Sequence, residues 1–157
     1  MKSVIIALII GVIFSVQGVS TKTYETISDC FGDSSYIEVI IDNQNHTYKN
    51  HTVEYQNILN QFMDMIKDSH QMPAFGVSLD NETKSAIKNG LWIKFCFDFI
   101  GYNSQMPFEE LLINVNKDFS GFNIIRGNNG LYEGRCFYIN LVGDMNNLYD
   151  YLIEYIV

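Results

Sequence analysis

From residue 91 onward the apolar side chains recur at every second position, and this period constrains the fold more than any other feature of the chain. Leu91, Ile93, Phe95, Phe97 and Phe99 alternate with Trp92, Lys94, Cys96 and Asp98. Successive side chains of a strand point to opposite faces, so the segment reads as a strand with one face in a core and one face partly wet. Leu111, Ile113 and Val115 alternate with Glu110, Leu112 and Asn114 in a second strand. Asp118-Phe119-Ser120-Gly121 turns the chain, residues 122–126 form a third, short strand, and Gly127-Asn128-Asn129-Gly130 is a tight turn built from residues that accept positive φ. The chain returns through residues 131–142. Clean alternation there would place Phe137, Ile139 and Leu141 on one face with Glu133 and Arg135, and a bulge near Gly134 is expected to resolve the conflict.

Upstream, the period is that of a helix. Tyr55, Ile58, Leu59, Phe62, Met65 and Ile66 share one face of a cylinder, Thr52 can cap its start, and Met72-Pro73 ends it. A short helix is expected from Asp80 or Asn81 to Gly90. Tyr36-Ile37-Glu38-Val39-Ile40-Ile41 is a β-type run stopped by Asp42-Asn43, and residues 42–51 read as an Asn/His-rich loop. After Gly143-Asp144, the residues Met145, Leu148, Tyr151, Leu152 and Tyr155 mark a C-terminal helix. Short sequential connections predict an α+β fold: a mostly antiparallel sheet of about five strands, with two main helices and a short third packed on one face.

Before all of this stands an apolar leader. Lys2 precedes a run from Val4 to about Val16, the order of charge and hydrophobic segment found in secretory signals. The run is shorter than the roughly 20 residues a spanning helix needs. Residues 1–18 are expected to be a signal peptide cut after Gly18 or Ser20, residues 19–35 a loose N-terminal lead-in, and residues 36–157 one α+β domain. The chain is then secreted or extracytoplasmic; an uncleaved leader would instead hold it at a membrane surface.

The formal net charge of −8 becomes one unit more negative when Lys2 leaves with the leader. Phosphate backbones and anionic membrane surfaces attract clustered Lys and Arg, so this balance argues against nucleic acid and against membrane contact other than through the leader. It suits a basic protein partner, or solubility alone. Oligomeric state is left open.

Motifs for chemistry are sparse. Cys30, Cys96 and Cys136 have neither zinc-ligand nor C-x-x-C spacing; two of the three can pair in an oxidising compartment, but the strands of Cys96 and Cys136 are not neighbours in a simple meander, which argues for free thiols. His46 and His51 lack a third ligand, and no metal or cofactor is expected. Gly127-x-x-Gly130 leads into a strand rather than a helix N-terminus, so it is a hairpin and not a phosphate loop. The asparagines of Asn45-His46-Thr47, Asn50-His51-Thr52 and Asn81-Glu82-Thr83 are glycan acceptor candidates in a eukaryotic secretory pathway.

Two functional expectations follow. The first is a non-enzymatic binding protein, like an inhibitor or immunity protein in size and charge only. It would use an open sheet face bearing Trp92, Lys94 and Asp98 on one strand and Arg135 and Tyr138 on another. Arg135 also has a structural alternative, a salt bridge to Glu133 or Asp98. The second expectation is a small extracellular hydrolase using His70, at the end of the first helix, with a cysteine or carboxylate.

Overall fold

The computed structural model describes residues 18–156. The expected signal peptide lies outside them, apart from Gly18. Among the described residues no helix is long and apolar enough to cross a membrane.

The fold is α+β, with a mostly antiparallel sheet, but the sheet has eight strands rather than about five. The elements run β1 (Thr21–Thr23), a 3-10 helix (Ile27–Asp33), β2 (Tyr36–Ile41), β3 (Gln44–Lys49), α1 (Val53–Ile66), β4 (His70–Met72) and β5 (Val77–Ser78). They continue through α2 (Asp80–Ala86), β6 (Leu91–Asn103), β7 (Met106–Val115), β8 (Gly121–Gly127), β9 (Gly134–Arg135), β10 (Phe137–Asn140) and α3 (Asn146–Tyr155). The main sheet has the order β3-β2-β6-β7-β8-β10-β4, with β1 added in parallel beside the second half of β6. β5 and β9 form a separate two-stranded ribbon.

The long β6 is the spine. Its first half pairs with β2 and its second half with β1, on the side away from β7. The register against β7 shifts between Cys96 and Gly101, and Phe108 packs so close to Gly101 that a Cβ there would lie 2.3 Å from its ring. Glycine is what lets the two strands keep that contact.

The helical face of the sheet holds the main core. Ile37, Val39, Ile93, Phe95, Leu111, Ile113, Ile124, Phe137 and Ile139 are buried under α1 and α3. α1 buries Tyr55, Ile58, Phe62 and Ile66, the face its spacing predicts, and Thr52 Oγ1 accepts a hydrogen bond from Tyr55 N at 3.3 Å. α3 buries Leu148 and Leu152, and Tyr155 is left exposed.

Other expectations are corrected too. Residues 19–35 are not a loose lead-in: they supply β1 and the 3-10 helix. Phe31, Phe62 and Phe95 form a triangle of rings with centroids 4.7 to 4.8 Å apart, joining that helix to α1 and the sheet. Burial of Ile27, Cys30 and Phe31 offsets the cost of ordering the segment. Residues 42–51 are not a loop, because Asp42 and Asn43, both at positive φ, make a two-residue hairpin turn into β3. The helices do not all lie on one face, since α2 and the ribbon cover part of the other.

That other face carries a smaller apolar cluster of Ile40, Trp92, Leu112 and Tyr132, with Ile87 and Ile125 against it. Nor does the return from the Asn128–Leu131 turn bulge within a single strand. It splits at Cys136: Gly134 and Arg135 pair with β5, and residues 137–140 pair with β8. Gly134, at φ +99°, makes the change of course.

Candidate binding site

The segment between β4 and α2 crosses the sheet face opposite the main helices. Cys136 N donates to Gly76 O at 3.1 Å, and β5 pairs with β9. Gly76 has φ +80° and sits over the Asn123 side chain, which a Cβ would meet at 3.4 Å. The Phe75 ring packs edge-on against Tyr138, their centroids 5.8 Å apart. These ties hold the segment across β8 and β10 and leave its alternate side chains facing solvent. Phe75, Val77 and Leu79 are 67, 68 and 61% exposed, and Met72 and Phe119 nearby are also exposed.

Three adjoining hollows lie beneath and beside this rim. One of about 410 Å³ is lined by Val77, Leu79, Glu82, Ala86, Trp92 and Ile125, among others. A second of about 270 Å³ shares Trp92, Asn123 and Ile125 with it and reaches Phe119 and Tyr138. A third, of about 410 Å³, is formed by Met72, Pro73, Ala74, Phe75 and Tyr138. Glu82 is the one charged residue lining the three among the described residues. The result is an apolar groove with an exposed apolar rim, a form that marks interaction sites more than isolated surface side chains do.

The expected site residues distribute unevenly around it. Trp92 and Tyr138 do line one hollow together. Trp92 is not an exposed aromatic, however: it is only 7% exposed, and its Nε1 donates to Asn89 O at 2.8 Å. Lys94 is engaged internally, 2.8 Å from Glu38 Oε2 and 3.5 Å from Glu110 Oε1. Burial alone would lower its pKa, but the two carboxylates outweigh that and raise it. Asp98 is exposed and lies on β6 beyond Lys94, where it lines none of the hollows.

Arg135 is exposed on β9 opposite Val77, and among the described residues it forms no salt bridge to Glu133 or Asp98. The arginine that does structural work is Arg126, which donates to Arg135 O and Pro107 O, each at 2.7 Å. The rim Phe75-Val77-Leu79 was missed in the sequence. Its signal is an apolar residue at every second position just after Met72-Pro73.

His70 does not end the first helix; it lies on the edge strand β4. It shares a depression with Ser28, Asp68 and Ser69. No side-chain hydrogen bond joins any of these four among the described residues, whereas a nucleophile, base and orienting group form a hydrogen-bonded chain. Cys30, Cys96 and Cys136 are free and buried, and burial raises each thiol pKa, that of Cys96 to about 12. Among the described residues no three His, Cys, Asp or Glu side chains are placed to hold a metal.

Comparison with protein-family models, with curated proteins and with solved structures finds no match for this chain.

Proposed function

We propose that this chain is an exported, non-enzymatic binding protein that engages a basic protein through the groove beside Phe75, Val77 and Leu79. The observation that carries this reading is the rim itself: three large apolar side chains, each more than 60% exposed, fixed by hydrogen bonds over an apolar groove. Apolar anchors seated in desolvated pockets supply most of the energy at protein interfaces. The net charge of −8 supports a basic partner, since opposite charge raises the association rate and selects against acidic competitors. The apolar leader supports export. The hydrolase alternative has less support, because no hydrogen-bonded nucleophile and base surround His70 among the described residues.

The reading is tested with a photoreactive phenylalanine analogue at position 75, and the same analogue at position 155 on α3 as a control. Each protein is irradiated in native extracellular material at low and moderate salt. Adducts expected at 75 are competed by unlabelled protein, fall as salt rises, and disappear in the V77D/L79D variant. Equal adducts from both positions, or none from 75, would sink the proposal.

A further inference from the structure

Two of the three Asn-x-Thr triplets, Asn45-His46-Thr47 and Asn50-His51-Thr52, lie five positions apart at one end of the sheet. A triplet by itself is a weak signal in an Asn-rich chain; the placement of these two adds the weight. Asn45 is exposed on β3, and Asn50 is exposed in the turn from β3 to α1. Neither side chain makes a side-chain hydrogen bond among the described residues. β3 is an end strand, paired with β2 on one side only. End strands offer unpaired N–H and C=O groups to any second strand, and proteins protect them with charge, proline or a covering group. Within β3 the only charged residue is Lys49, and there is no proline.

Register pairs Asn45 with Ile40 and Thr47 with Glu38, so both side chains stand on the face opposite α1 and α3. That end of the sheet is far from the hollow of Met72, Phe75 and Tyr138 beside β10 and β4, whereas Trp92, which lines the other two hollows, stands two strands in from β3. A bulky, solvated group on Asn45 and Asn50 therefore covers the free edge and stays clear of the hollow at Met72 and Phe75. Asn81 differs. Thr83 of its triplet is only 5% exposed, and Glu82 and Thr83 line the groove.

We propose that Asn45 and Asn50 are N-glycosylation sites whose glycans shield the β3 edge. The donor class is an oligosaccharide on a lipid pyrophosphate. The side-chain nitrogen forms a bond to C1 of the first sugar, the C1–O bond to the pyrophosphate breaks, and the lipid pyrophosphate leaves with that electron pair as the amide loses one proton. The inference rests on the export reading, because the donor and its transferase face the secretory lumen.

The test uses the full chain in a eukaryotic secretory line, once with its own leader and once behind a proven leader. The secreted protein should lose the mass of two glycans on peptide-N-glycosidase treatment. N45Q and N50Q should each remove one, and the double variant the whole shift. A secreted chain unchanged by the enzyme, or a double variant that keeps the full shift, overturns the sites. Retention in the cell with the native leader alone counts against export, and the second leader then decides the glycans. Sedimentation of the double variant, with its fold checked by circular dichroism, reads the shielding. Self-association should rise several-fold over the glycosylated protein, and an unchanged monomer overturns that part.

Discussion

Tyr132 Oη donates to Glu110 Oε2 at 2.5 Å, and this bond fixes the loop after β8 to the sheet. It is one of four such ties. Asn129 N donates to Glu109 Oε2 at 2.6 Å, Tyr132 N to Asp80 Oδ1 at 2.8 Å, and Lys84 Nζ to Gly130 O at 3.2 Å. Three carboxylates from β7 and α2 thus hold a strap over Trp92 and Leu112. Tyr132→Phe keeps the ring and removes the donor. The expected loss is about 0.5–1.5 kcal/mol, the net worth of one hydrogen bond, because the Glu110 carboxylate is only partly buried and water can replace the donor. Urea unfolding followed by Trp92 fluorescence measures it, and a stability equal to wild type would show that the bond is dispensable.

The strap should loosen in acid. The Asp80 carboxyl is held below its ordinary range, first by the hydrogen bond from Lys84 and then by that from Tyr132 N. A group whose pKa is lower folded than unfolded contributes stability above its unfolded value, and loses it as pH falls through the folded one. Amide exchange at Tyr132, corrected for its intrinsic pH dependence, should therefore stay protected near neutrality and lose protection below about pH 4. Asp80→Asn keeps an acceptor for Tyr132 N but removes the titrating charge. Its protection at Tyr132 should be weaker near neutrality and flatter with pH; a profile identical to wild type would place the acid response elsewhere.

The thiols give an independent check on the core. All three cysteines are free and buried, and burial disfavours the thiolate that reacts with disulfide reagents. The native protein should be inert to such a reagent at pH 8 and should titrate three thiols in denaturant. One fast native thiol would mean that Cys96 or Cys136, on the face with the groove, is uncovered in solution.

Much of the architecture was legible because burial imposed a period. α1 shows its face because Tyr55, Ile58, Phe62 and Ile66 must all reach the sheet, and β6 alternates because only one of its faces meets the main core. β3 was not legible because an end strand with both faces partly wet needs no alternation: Gln44-Asn45-His46-Thr47-Tyr48-Lys49 is polar throughout apart from the Tyr48 ring. Its one signal was the Asp42-Asn43 turn. The 3-10 helix hid for a related reason, since its seven residues bury only Ile27, Cys30 and Phe31. Trp92 and Tyr138 do share the face opposite α1 and α3, as alternation implies, but nothing local to β6 announces that α2 and the strap cover Trp92. That depends on pairings such as Ser78 with Gly134, distant in sequence and two residues long.

The same face makes a sharper prediction at Lys94. Its ammonium lies between Glu38 and Glu110, which have no other cation within salt-bridge reach among the described residues. Lys94→Met keeps the stem that packs on the sheet and leaves two carboxylates unpaired on β2 and β7, the strands that flank β6 on either side. Removing one partner of a fully buried pair costs about 3–5 kcal/mol, and partial exposure of these side chains reduces that to about 1–3 kcal/mol. The signs then diverge with pH. In the wild type, Lys94 has a pKa raised above its unfolded value, so its contribution is complete below about pH 10 and lost as pH climbs through the folded value. In the variant the two negative carboxylates repel each other without the ammonium between them, and acid relieves that repulsion. The deficit of Lys94→Met should therefore be largest from pH 7 to 9 and shrink as pH falls below about 5. Urea midpoints of both proteins across pH 4–10 read this directly. A deficit constant over that range would mean that the lysine matters for its packing and not for its charge.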